Sequence, residues 1–327
     1  MDTANQINSL KQRDSTIDII KGFAMIAVVL LHINFAFPKI GILNTNSLFG
    51  GLWHVAVFFV VSGWFLKDSK LLSFKSFAKG KVINLYLKAM YVYIPLVLLH
   101  NAFFQIGWLY GDVNYHHGIL GEFTFSQILS HICFQFLFTQ REPFSGAMWF
   151  VDSLFLGLLL YSLITICVYK LFGNSNDVAK NAIRFAICFS LAFMSAALRD
   201  IFEINIPKVS NTLSSVVLMC VGQMLGSLKL KFDNGLLLMM AALVFFQYTV
   251  LTPSVALNSN QYKDIVFLIV SSVSALYVLG YISKKITNTV SGGGNKIHRK
   301  RILLGYGLSH VRLSCVHNHS RFLWDRV

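Results

Sequence analysis

The stretch Ile17–Phe35, IDIIKGFAMIAVVLLHINF, decides the fold. As a helix it is long and apolar enough to cross the hydrocarbon core of a bilayer. It nevertheless carries three ionisable side chains, Asp18, Lys21 and His32. At about 100° per residue, Lys21 and His32 fall within roughly 20° of each other and Asp18 within roughly 60° of both, so all three share one face. The rise from Lys21 to His32 is roughly 16 Å. A charged group at mid-membrane costs about 2.5–3.5 kcal/mol even on the lenient insertion scale, so such a face turns toward a bundle interior or a watery cavity. The stretch therefore implies neighbouring helices.

Composition supplies them. Of 327 residues, 55% are hydrophobic and only 13% charged, which excludes an ordinary soluble globule. Apolar runs of about 20 residues fall near 17–36, 47–66, 82–106, 148–169, 182–199, 209–228, 235–252 and 264–282. The expected fold is all-α, a polytopic transmembrane helix bundle of eight spans. The net charge of +14 sits in short clusters between the runs and forms no continuous basic surface, so we expect no nucleic-acid partner. With a cytoplasmic N-terminus, the inside connections hold Lys11, Arg13, Lys67, Lys70, Lys75, Lys79, Lys81, Lys170, Lys180, Arg184, Lys229, Lys231, Lys284 and Lys285. The outside ones hold only Lys39, Arg141, Arg199, Lys208 and Lys263. That asymmetry favours the N-terminus inside. No small-residue cleavage site follows the first run, so it is read as a retained span.

Between Gly107 and Ala147 lies the longest outside connection, containing His116, His117, Glu122 and an apolar piece over Ile128–Phe138. That piece is too short to span easily and reads as an interfacial or re-entrant helix, or as a surface-lying connector. No internal repeat is visible. We divide the chain into a transmembrane domain, 1–285, and an atypical basic tail, 286–327, expected to be disordered. Neither the cysteines nor the tail's His310, Cys315, His317 and His319 have metal-ligand spacing, so neither a disulfide framework nor a metal site is expected.

Burial disfavours imidazolium, and a neutral His32 is the form able to accept a proton from a hydroxyl. The competing reading is a histidine that hydrogen-bonds a neighbouring helix, with Asp18 and Lys21 pairing at the interface. Residue physics leaves both open.

IDIIKGFAMIAVVLLH resembles the opening motif of the membrane acyltransferase-3 family: Asp, two residues, a basic residue, Gly, an apolar stretch, then His. WHVAVFFVVSGWFLK resembles that family's second signature, and MWFVDSLFLGLLLY is similar to its Trp-Phe segment. The nearest subgroup is the sugar O-acetylases related to fucose 4-O-acetylase. The resemblance implies a bundle of roughly ten helices in a bacterial inner membrane. It also implies an acyl-CoA donor, commonly acetyl-CoA, and an acceptor hydroxyl on a cell-envelope polysaccharide or lipid-linked sugar.

On that resemblance His32 occupies the position of the catalytic base and Asp18 that of the carboxylate before it. Lys21 matches the basic position, to hold a donor phosphate or balance charge. His54 and Ser62, roughly 80° apart on a helix, are candidates for substrate contact. Ser62-Gly63 fits close helix packing equally well. Trp149 either stacks on a sugar or anchors at the membrane interface. Asp152 either binds a hydroxyl or stabilises a helix N-terminus.

Two departures stand out. Where the family often has two arginines, FAKGKVINLY offers Lys79 and Lys81, which keep the charge but lose the bidentate fork; they are assigned to the donor. The family usually has further C-terminal spans, and the composition change near Ser291 points to a truncated or frameshifted end. The alternative functions are a non-catalytic exporter or flippase of envelope glycan, and an inactive truncated family member.

Overall fold

The computed structural model describes residues 15–36, 53–106, 121–138, 145–146, 148–204, 206–228, 233–249, 257, 260 and 265–292, with the ends of some helices described by backbone alone. Among these residues there is no strand. The elements are α1 (Ser15–Ala36), α2 (His54–Trp64), α3 (Asp68–Leu71), α4 (Phe74–Lys81), α5 (Leu87–Leu98), α6 (His100–Gln105), α7 (Phe125–Phe136), α8 (Met148–Leu171), α9 (Asp177–Phe202), α10 (Pro207–Ser227), α11 (Asn234–Thr249) and α12 (Ile265–Gly292). Among the described residues each apolar run read from the sequence overlaps helix, the run 82–106 comprising a π-helical segment, α5 and α6. Five helical stretches are long and apolar enough to cross a membrane: 74–98, 148–171, 177–202, 208–227 and 265–288. Two further apolar helices, His54–Trp64 and Asn234–Gln247, are shorter. The protein is an all-α polytopic bundle. Residues 293–327, which hold most of the expected tail, and His116 and His117 lie outside the described residues.

Boundaries follow local chemistry. Asn176 caps α9 by accepting from the Ala179 N–H at 2.8 Å, and α9 ends where Glu203 takes a left-handed conformation at φ 56°. Pro207 opens α10, where its missing N–H costs nothing. Thr124 and Gln127 form a reciprocal capping box at the start of α7. Pro95 lies inside α5, which ends three residues later.

Helix boundaries correct the sequence reading: Lys170 lies on α8, Lys180, Arg184 and Arg199 on α9, Lys208 on α10, and Lys284 and Lys285 on α12, all of them expected in connections. Lys75, Lys79 and Lys81 were expected in a connection, but they lie on α4, which runs through a π-helical segment (Val82–Tyr86) into α5. Lysine's long stem allows its ammonium to reach water from the first turns of a spanning helix, so hydropathy places the start too late.

α10 is the central helix, packed on α2, α8 and α9; α1 lies against α2 and α12, and α11 against α12. The tightest seam is α2 on α10. Gly222 and Gly226 form a small-xxx-small pair. A Cβ built on Gly222 would run into the Val60 carbonyl oxygen, one on Gly63 into the Met219 carbonyl oxygen, and one on Gly226 would come within 2.5 Å of the Trp64 carbonyl oxygen. Backbones meet there because no side chain intervenes.

Large apolar side chains face outward, with Tyr91 71%, Leu238 74% and Phe193 59% exposed, while His54, Asp152 and Arg184 are buried. Apolar outside with polar inside is the arrangement lipid demands. α7 obeys it: Phe125, Leu129 and Phe136 are exposed, and Gln135 is fully buried. The apolar piece of the long connection is thus a helix with a lipid-compatible outer face.

Candidate functional site

Lys21 fixes the level of α1 against α2, its ammonium lying 5.8 Å from the centre of the Phe65 ring. From there the two helices run antiparallel. His32 is 11 residues beyond Lys21 and His54 is 11 residues before Phe65, so both backbones lie about 16 Å from the Lys21 level. His54 is buried at 6% exposure; the His32 side chain lies outside the described residues, although its backbone belongs to the continuous α1. Asp18, half-buried, stays near Lys21. The unbroken helix holds it about 21 Å from His32 along the axis.

Gly63 faces the Met219 backbone and Gly157 the Ser215 and Met219 side chains, so α2 and α8 both pack on α10. Asp152 lies five residues before Gly157 and Phe58 five before Gly63, so both are on the same side of these glycines as His54. Phe150 packs on both Phe58 and Phe59, with ring centroids 5.6 and 5.0 Å apart. The His32 backbone, His54 and Asp152 therefore lie in the half of the bundle away from the lysine-bearing end.

Asp152 is fully buried and made tolerable by donors from two other helices. The Lys208 ammonium donates to its Oδ2 at 3.3 Å, and the Gln135 amide to both oxygens at 3.3 and 3.2 Å. The Oε1 of Gln135 is buried with no hydrogen-bond partner. Around this group stand Tyr86, whose ring stacks on Phe155 at 5.1 Å and whose hydroxyl donates to the Gln135 carbonyl at 3.4 Å, and Phe138. A buried carboxylate, an ammonium and an amide oxygen with no hydrogen-bond partner thus sit together among aromatic rings. Trp149, half-buried, meets Phe150 edge-on at 6.3 Å. Gln135 and Lys208 carried no usable sequence signal, because the first sits in a short apolar piece and the second in a connection read only for its charge.

Removing one partner of a buried ion pair costs about 3–5 kcal/mol. Asp152→Ala is expected to lose about that much stability, seen as a lower thermal midpoint in detergent. Asp152→Ala with Lys208→Met is expected to recover most of it; a double variant no more stable than the single would show that the pair is not the source.

Ser62 donates to the Phe58 carbonyl one turn back at 2.7 Å. With Gly63 pressed on α10, the Ser62-Gly63 pair forms part of the packing seam.

The lysine-bearing end holds a second polar cluster. Asp68 receives Arg184 Nη1 at 2.5 Å and Nη2 at 3.3 Å, the Tyr169 hydroxyl at 2.6 Å and the Gln223 amide at 2.8 Å. Tyr161 donates to the Gln223 side-chain oxygen. Burial pushes the Asp68 carboxyl up, but the bonds from Arg184, Tyr169 and Gln223 and the Arg184 charge outweigh it and hold the group below its usual 3.8. A lowered folded-state pKa means that the contribution to stability is present above 3.8 and lost as pH falls through the folded value. The stability gap between wild type and Asp68→Asn, measured as thermal midpoints over pH, is therefore expected to hold at neutral pH and shrink below 3.8. A gap unchanged in acid would contradict the assignment.

Lys67, Lys70, Lys75 and Lys79 are exposed at this end, and Lys81 is half-buried with its ammonium 5.3 Å from the Phe77 ring centre. Such a donor set fits an anionic ligand rich in phosphate. Among the described residues no three His, Cys, Asp or Glu side chains converge as a metal-binding group.

Fold and polar layers together define a multi-pass membrane protein with ionisable side chains at two depths. Residues 14–296 match the acyltransferase 3 family, described as an acyltransferase domain. The chain belongs to that family and is a membrane acyltransferase. No curated protein and no solved structure matches it.

Proposed function

We propose that the protein is a membrane O-acyltransferase that moves an acetyl group from acetyl-CoA to a hydroxyl of a cell-envelope polysaccharide or lipid-linked sugar in a bacterial inner membrane. The observation that carries this reading is the depth of the His32 backbone and of buried His54, both about 16 Å from the Lys21 level, with the buried Asp152 group on the same side of the bundle and exposed lysines at the opposite end. With the N-terminus cytoplasmic, the lysines face the compartment that supplies acyl-CoA, and the long pantetheine arm reaches from them to the histidine layer. The donor supplies a thioester carbonyl and a thiolate leaving group.

His32 is the base in this scheme. Its neutral imidazole takes the acceptor hydroxyl proton as oxygen bonds to the acyl carbon, and returns that proton to sulfur as the C–S bond breaks. Asp152, with Trp149 and His54, orients the sugar, while Ser62 contributes to that surface through the helix seam. Lys79 and Lys81 hold donor phosphates, and Lys21 with Asp18 shapes the charge where the donor enters. The catalytic domain spans the family match, residues 14–296, and so runs beyond the expected boundary at 285, which falls inside α12.

The experiment is comparison of envelope glycans with and without the gene by mass analysis. Loss of O-acetyl esters with normal surface glycan supports the enzyme; loss of surface glycan with unchanged esters would replace it with an exporter.

A further inference from the structure

The lysines of the connection after α2 are held in place with more bonds than a topology signal requires. Lys67 and Lys70 are exposed and flank Asp68, and Asp68 is bound by Tyr169 of α8, Arg184 of α9 and Gln223 of α10. The same segment is pinned at both ends. Gln223 donates to the Leu66 carbonyl at 3.3 Å, Ser162 donates to the Leu71 carbonyl at 2.6 Å, and the Leu71 side chain is fully buried. Lys180, on α9, lies 4.8 Å from the centre of the Tyr169 ring.

Positive charge that orients a span acts during insertion and needs no fixed geometry. Holding like charges close together is unfavourable unless an anion offsets them. Three helices that converge on one carboxylate, and thereby fix two exposed lysines beside those of α4, supply the geometry an anion site needs. The π-helical segment that directly follows Lys81 lies in the same place, and such segments are frequent at functional sites.

We propose that Asp68, Arg184, Tyr169 and Gln223 are positioning residues of the acyl-donor site, and that they present Lys67 and Lys70 to the nucleotide phosphates of the acyl-CoA. This rests on the donor assignment made under the proposed function. The lysines contact phosphate through their ammonium groups; Arg184, buried, and Asp68, Tyr169 and Gln223, half-buried, act through them by setting the course of residues 66–71. No bond is made or broken at this end of the bundle.

The test uses the full chain in nanodiscs of zwitterionic lipid, with two probes: coenzyme A in calorimetric titration, and acetyl-CoA against S-acetyl-pantetheine, which lacks the nucleotide, as donors in the transfer assay. Lys67→Gln with Lys70→Gln is expected to weaken coenzyme A binding about tenfold at low salt, less at high salt, with an unchanged thermal midpoint. Asp68→Asn with Arg184→Gln, which removes both charges of the pair together, is expected to raise KM for acetyl-CoA by a similar factor and leave KM for S-acetyl-pantetheine unchanged. Tight coenzyme A binding by the lysine variant overturns the site. Equal losses for both donors in the buried variant reduce the cluster to a structural role and overturn the positioning assignment. Wild type that binds no coenzyme A rejects the donor itself, and with it the proposed function, a result distinct from the other two.

Discussion

Membranes carrying His32→Ala are expected to transfer acetyl from labelled acetyl-CoA to envelope glycan about 10²–10⁴-fold more slowly than wild type, the usual contribution of a positioned general base. The substitution removes a side chain from a helix that stays continuous from Ser15 to Ala36, so insertion and thermal stability should change little. The same variant separates two routes. If His32 instead carries the acyl group covalently, label from acetyl-CoA stays on wild-type protein in the absence of acceptor and is missing from the variant. Undiminished glycan O-acetylation by His32→Ala would end the assignment. Because His54 is buried at the same level, His54→Ala is the informative companion: it should raise the requirement for acceptor and leave partial turnover.

A second large effect is expected at the seam between α2 and α10. Gly222→Leu should yield chain that fails to accumulate as monodisperse protein in detergent. The first added carbon already meets the Val60 carbonyl oxygen, with the Trp64 nitrogen only 3.1 Å away. Overpacking against side chains costs about 1–3 kcal/mol because rotamers can yield; backbone of a neighbouring helix cannot, and the helices must separate. Separation would break the Gln223 bonds to Leu66 and Asp68 one residue further along, so damage would extend to the lysine-bearing end. Gly22→Ala is the control, since nothing stands within 4 Å of a Cβ there. Size-exclusion profiles of the three chains decide the matter; a well-behaved Gly222→Leu would mean that α2 and α10 do not approach as described.

The apolar runs were legible because span length and hydropathy are local properties set by the thickness of hydrocarbon. So was the one-sided grouping of Asp18, Lys21 and His32, which needs only the helical repeat. Helix starts were less legible: Lys75, Lys79 and Lys81 look like loop residues by charge, yet they occupy the first turns of a spanning helix because lysine stems can lie along apolar surface. The short apolar piece in the long connection read correctly as a helix, whereas its one buried polar residue, Gln135, had no pattern to give it away.

By itself, then, the sequence determined a membrane bundle, the helix that bears His32, and the family motif around it. Only the tertiary structure decided which charges meet. Asp68 and Arg184 are 116 residues apart, Asp152 and Lys208 are 56 apart, and Gln135 reaches Asp152 from a separate helix. Those pairings follow from which helices pack side by side, and that in turn from glycines whose missing side chains let two backbones touch. Periodicity along one chain segment reports the face a residue occupies; the identity of the neighbour on that face is a property of the assembled bundle.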